Sequence, residues 1–194
     1  PTTSSAASDV YKRQPIYLAA VGLKNVELTA EIAEGWLPFM YSPIKGEDIY
    51  KESLNNGFKK SGDSDKKNKF QIVTTVFGRV CEEDEIDQYL YPARNIYTLY
   101  VGGMGAKSKN FYYNLFCEYG YEDIADELQN LYLSGNKKES EELFPKELLN
   151  ELTLVGTKKE IEKKLETWKE SNITEISLSL PIDFETVKFI KELL

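Results

Sequence analysis

The chain of 194 residues contains no histidine at all. That removes the commonest general base and the commonest metal ligand. Proton chemistry must therefore use carboxylate, lysine, tyrosine or cysteine, or groups outside this chain. Cysteine is also scarce. Cys81 and Cys117 stand far apart and in no metal-like spacing, so a metal site is not expected and a reduced cytoplasm is the simplest setting. Positive charge is in deficit, with 24 Lys and Arg against 32 Asp and Glu for a net charge of −8. No basic face offsets this, which excludes a general nucleic-acid binder but not a small anionic ligand that senses only the local field. No apolar run is long enough to span a membrane as a helix.

What is present is a globular composition, with 41% hydrophobic residues, enough for one domain with a sizeable core. The first fourteen residues differ in character. They are rich in Ser, Thr and Ala and end in Asp9-Val10-Tyr11-Lys12-Arg13-Gln14. That hexapeptide matches the translation of a transposon end used in sequencing libraries. Residues 1–14 are expected to be a non-native leader, an ordinary disordered tail being the alternative, and they are set aside from fold reasoning.

From residue 15 the pattern alternates. Residues 16–20 form a short apolar run suited to a buried strand. Gly22 supplies a turn, and a helix follows from Lys24 or Asn25 with Val26, Thr29, Ala30 and Ala33 on one face. Residues 36–40 read as a second strand. Ser42-Pro43 opens a helix running to about Lys60. A polar loop over 61–69 leads into the strongest strand, 70–81. Residues 82–152 are mostly helical, with breaks at Gly102-Gly103, Gly120, Ser134-Gly135 and Pro145. Thr157 with Glu160 forms a capping box, followed by a helix with Ile161, Leu165 and Trp168 inward and its lysines solvated. Residues 175–180 read as a strand. A last helix has Phe184, Val187 and Ile190 inward. The order predicts an α/β fold with four parallel strands and right-handed helical crossovers. A whole eight-stranded barrel needs about 250 residues, so the length fits half of one.

Two loops are candidates for chemistry. In residues 19–25, the start of a helix offers backbone N–H groups without intrahelical partners. Gly22 would let the backbone approach an oxyanion, Lys24 adds charge and Asn25 a side-chain donor. A plain βα turn remains the alternative. The run Gly102-Gly103-Met104-Gly105-Ala106-Lys107-Ser108-Lys109 reads first as a helix break, with closure over an anionic ligand as the second reading. Arg79, near the end of the strong strand, is expected to pair with Glu82 or Glu83 rather than to face a ligand. Tyr89, Tyr91, Tyr97, Tyr100, Phe111, Tyr112 and Tyr113 would either wall a pocket or pack with one wet end. The acidic run 82–87 suits a solvated helix start.

The segments PIYLAAVGLKN, AEIAEGWLP and LYVGGMGAKSKNFYYNL together resemble the luciferase-like monooxygenase superfamily, and most closely its coenzyme F420-dependent oxidoreductases. The resemblance covers residues 15–180. It implies a (βα)8 barrel of which this chain is the C-terminal half. Strands five to eight would lie near 15–20, 35–40, 70–80 and 175–180, with a helical insertion after the seventh at about 82–152. The loop would hold the phosphate-bearing tail of the cofactor through Ala20, Gly22, Leu23, Lys24 and Asn25, with Leu23 where relatives often have proline. Gly103, Gly105 and Lys107 would lie near the cofactor or the substrate entrance. The implied cofactor is F420, with FMN as the alternative. The implied reaction is hydride transfer between reduced deazaflavin and a small organic substrate, in a full-length protein able to form a homodimer. The family's ring-binding strands, its non-proline cis peptide and its proton-handling histidine have no counterpart here, so no catalytic residue can be assigned. The chain by itself is expected to be inactive and poorly stable, with an incomplete gene product or a binding module as the non-enzymatic alternative.

Overall fold

A computed structural model describes residues 14–105, 109–179 and 183–194. The leader at 1–14, apart from Gln14, lies outside the described residues, as do residues 106–108 and the end of the last expected strand at Leu180.

The chain opens with β1 (Tyr17–Leu18), α1 (Leu23–Ile32), β2 (Gly35–Trp36), α2 (Gly46–Lys60), a short α3 (Lys66–Lys69) and β3 (Gln71–Val80). A 3-10 turn at Glu83–Glu85 leads into α4 (Ile86–Gly103). It is followed by α5 (Phe111–Phe116), a π turn (Cys117–Tyr121), α6 (Glu122–Leu133), α7 (Lys137–Glu142) and α8 (Lys146–Glu151). The chain closes with β4 (Leu154–Gly156), α9 (Lys158–Glu170), β5 (Glu175–Ser179) and α10 (Phe184–Leu193).

All strand pairs are parallel. Tyr17 sits opposite Gly35, and Gly35 opposite Gln71. The long β3 organises the sheet: its start meets β2, its middle from Val73 to Phe77 meets β5, and its end from Gly78 to Val80 meets β4. Ile72, Thr74 and Val76 point into the core under the helices, whereas Gln71, Val73 and Thr75 face the more open side. This is the period-2 alternation of a sheet with one covered face.

Helix starts follow their sequence signals. Ser42 Oγ accepts from the Lys45 N–H at 2.8 Å, and its carbonyl accepts from Gly46 N–H at 2.9 Å, so the turn into α2 begins at Ser42. Thr157 and Glu160 exchange the reciprocal bonds of a capping box. The expected breaks occur: α4 ends at Gly103, Gly120 has φ 86° and Gly135 φ 91°, and Pro145 precedes α8.

Four expectations fail. The sheet has five strands, because Leu154–Gly156, at the end of the helical insertion, pairs with β3. Three residues buried on both faces carry no alternation to read. The second strand stops at Trp36 instead of reaching residue 40, since Pro38 has no N–H to donate and Met40 turns the chain with φ 57°. The loop at 61–69 contains a helical turn, α3. The last helix is rotated from its expected face: Phe184 is 76% exposed and Val187 43% exposed, while Thr186 and Ile190 are buried. Thr186 Oγ1 accepts the Val80 N–H at 2.9 Å. That tertiary bond fixes the rotation against the simple apolar pattern.

Candidate functional site

The loop between β1 and α1 is anchored from below. The buried Trp36 indole N–H donates to Ala20 O at 2.9 Å, and the Trp36 ring meets Tyr50 edge-on at 4.8 Å. Ala20 therefore supports the loop and is itself buried. Gly22 is the N-cap of α1, with φ −67° and ψ 136°, and its carbonyl accepts from the N–H groups of Asn25 and Val26. No side chain caps this end and no acidic residue lies in the first turn. The first amides of α1 are left open, with the positive end of the helix dipole behind them. Leu23, Lys24 and Asn25 are exposed, and no ion pair engages Lys24 among the described residues.

Two cavities meet over this turn. The larger, about 850 Å³, lies beside Lys24 and Asn25 and is bounded across from them by Asp48, Tyr50, Asn114 and Glu118. The smaller, about 660 Å³, opens on the sheet side among Ala19, Ala20, Leu37, Phe39, Tyr100 and Tyr112, with Thr75 of β3 and Ser177 of β5 also lining it. The structure thus brings Leu23 and Lys24 to the larger cavity, Ala20 to the smaller, and Gly22 and Asn25 to both. Burial pushes the Tyr112 phenol up to about 12, so at neutral pH its Oη remains protonated and able to donate.

The glycine-rich run behaves differently. A Cβ on Gly102 or Gly103 would come within 2.6 Å of the Tyr132 side chain, so these glycines let α4 approach α6. Gly105 turns the chain with φ 129°. Neither Gly103 nor Gly105 lines either of these two cavities, though Met104 between them borders the smaller one. Lys107 lies outside the described residues.

Arg79 pairs with neither Glu82 nor Glu83. Its Nη1 meets Asp183 Oδ2 at 2.7 Å and its guanidinium lies 4.7 Å from the Tyr89 ring centroid, tying β3 to the cap of α10. The aromatic cluster divides: Tyr100, Phe111 and Tyr112 border the smaller cavity, whereas Tyr97 is buried and donates to Leu152 O. The acidic run starts the 3-10 turn through reciprocal bonds between Glu82 and Glu85.

The lysine face of α9 holds one residue that the sequence reading misplaced. Lys164 is half-buried; its ammonium donates to Val155 O at 2.7 Å, and desolvation pulls it down to about 8. Its position gives it away. Ile161, Lys164, Leu165 and Trp168 share the i, i+3, i+4, i+7 stripe of the buried face.

Residues 1–175 match the model of the family described as luciferase-like monooxygenase. The chain belongs to the luciferase-like monooxygenase family. It is 34% identical over 174 residues to a Mycobacterium tuberculosis protein described as a "putative coenzyme F420-dependent oxidoreductase", with 90% of this chain and 48% of that protein aligned. Its fold is similar to that of the coenzyme F420-dependent tetrahydromethanopterin reductase from Methanopyrus kandleri, with TM-score 0.71, 16% identity, and coverage of 94% of this chain and 50% of that one. It is also similar to an F420-dependent secondary alcohol dehydrogenase solved with an F420-acetone adduct, with TM-score 0.62, 16% identity, and coverage of 93% and 48%. The luciferase-like chain thus spans about half the length of the relatives it matches.

Proposed function

We propose that this chain forms the phosphate-binding side of a coenzyme F420-dependent oxidoreductase acting on a small organic substrate. β1, β2, β3 and β5 would be strands five to eight of a (βα)8 barrel. The observation that carries the reading is the N-terminus of α1, without a side-chain cap or an acid in its first turn, open to a cavity beside Lys24, which has no ion pair among the described residues. An oxyanion of the cofactor tail would take the open amides and the Lys24 ammonium. Membership of the family and the F420-linked relative supply the identity of the group. F420, when bound, supplies a deazaflavin ring that exchanges a hydride with the substrate. The chain's own contribution is to anchor the tail at Gly22–Lys24 and to offer an apolar wall of Leu37, Phe39 and Tyr100. It also holds a proton at Tyr112 Oη as a hydrogen-bond donor.

The runner-up is FMN, which has a tricyclic ring and a phosphate too. One observation favours it. Asp48 and Glu118 bound the larger cavity opposite Lys24, and a tail carrying carboxylates beyond its phosphate would meet like charge there. Titrating the protein with F420 and with FMN separates the two. F420 binding tighter than FMN is expected; tight FMN with no F420 binding overturns the choice.

A further inference from the structure

One aromatic ring stands between the two cavities. Phe111 lines both, together with Val21, Gly22 and Asn25. A Cβ on Gly22 would lie 2.8 Å from Phe111 Cε1 and 3.1 Å from Cδ1, so the ring rests directly on the turn. The φ of Gly22, −67°, is one any residue adopts. A side chain at this position would meet the ring before any backbone constraint.

Phe111 is nevertheless 55% exposed, so burial alone does not hold it there. Asn110 does. Its side chain is fully enclosed and fully used. Oδ1 accepts from the N–H groups of Tyr112 and Tyr113 at 2.9 and 3.2 Å, and Nδ2 donates to Tyr100 O and Val101 O at 2.9 and 2.8 Å. Four bonds lock the first turn of α5 to the last turns of α4. They fix the point and direction at which Phe111 leaves the backbone.

The two cavities differ in chemistry. Gly22 and Asn25 border both, but Lys24 lines only the larger, together with Asp48 and Glu118, whereas among the described residues no charged side chain lines the smaller. We propose that Phe111 is a partition that sorts a ligand across the Gly22 turn. The anionic end lies in the larger cavity beside Lys24, and an apolar tricyclic ring lies in the smaller one among Phe39, Tyr100 and Tyr112. The identity of the ligand rests on the function proposed above; the partition itself rests on the two cavities and the ring between them. Without Phe111 the cavities would merge and a ring could slide along the trough. Ring position is what sets the approach of reacting atoms, so Phe111 is a positioning residue for the reaction.

Two separate probes test this on the full chain: inorganic phosphate, and lumichrome, a tricyclic ring without phosphate. In the wild type the two should bind together, each dissociation constant changing by less than about twofold in the presence of the other. Phe111→Ala should weaken lumichrome by about fivefold or more while leaving phosphate within about twofold, and Phe111→Tyr should restore it. Asn110→Ala keeps the ring but frees it, and should shift lumichrome in the same direction. Competition between the probes in the wild type, absence of lumichrome binding, equal loss of both probes in Phe111→Ala, or no change in either would overturn the partition. F420 and FMN separate the two proposals. If the wild type holds both probes but neither cofactor, the proposed function fails and the partition stands. If F420 binds wild type and Phe111→Ala alike, the partition fails and the function stands.

Discussion

Lys24 and Lys164 show how one residue type can be cast in opposite roles by its surroundings. Lys24 stands in water at the positive end of a helix, where an ammonium gains little from the protein and is available to a ligand. Lys164 is tucked under α9 against a carbonyl, and burial pulls its proton affinity down to about 8 from an ordinary 10.5. Between these values the unfolded chain binds a proton that the folded chain lacks, so this group's contribution to stability rises with pH from about 8 towards 10.5. Below pH 8 the fold carries the cost of a buried charge, on the order of 1–2 kcal/mol after allowance for partial exposure. Lys164→Met should therefore unfold at higher urea than the wild type at pH 7, with the gap closing at pH 10; a gap that is constant or widens with pH would contradict the assignment. The thiols of Cys81 and Cys117, whose raised values act in the opposite sense, are common to both proteins, though Cys81 is near enough to Lys164 to feel the loss of its charge. At this scale the candidate loop was legible, because Gly22, Lys24 and Asn25 sit together in sequence and stay together in space. Phe111 was visible only as one member of an aromatic cluster. Its contact with Gly22 joins residues 89 positions apart, and no local pattern encodes that.

The elements themselves were read well where period and caps agreed, as in α1, β3 and α9. They were misread where a tertiary partner decided. β4 is three buried residues whose only strand signal is the edge of β3, and α10 turns its Phe184 outward because Thr186 is claimed by Val80. Close helix packing was half legible: Ala30 falls on the inward face of α1, but its partner is a glycine on α2 that the local pattern does not point to. A Cβ on Gly57 would stand 2.2 Å from Glu27 O and 2.6 Å from Ala30 Cβ. Backbone cannot give way as an exposed ring can, so Gly57→Ala should cost about 1–3 kcal/mol of stability by overpacking, measured by chemical denaturation. A cost near zero would show that α1 and α2 are not held that close. The capping box at Thr157 is a separate and smaller effect: Thr157→Ala should lower stability by about 1 kcal/mol, and an unchanged midpoint would mean that α9 is capped by another group.

At the scale of the molecule, β1, β4 and β5 each pair with a single strand, so the parallel sheet has outer edges without a strand partner among the described residues. Large apolar side chains are also exposed on the helices: Leu28 and Ile32 on α1, Phe184 and Val187 on α10, and Leu194 just after it. Such edges and patches favour association. The protein alone is expected to sediment with an average mass that grows with concentration, and a strict monomer throughout would show those surfaces to be protected. None of the described helices is long and apolar enough to cross a membrane. The site sits on the same rim of the molecule as the loops after β1 and β2, where one helix end, one lysine and two cavities converge. The account turns on that convergence binding the phosphate-bearing tail of a ring cofactor. The most direct measurement is calorimetric titration of coenzyme F420 into the wild type and Lys24→Glu. The account predicts binding to the wild type that weakens with added salt, and a loss of about tenfold or more, ~1.4 kcal/mol, in the variant. F420 binding of equal strength to both proteins, or none to the wild type, would contradict it.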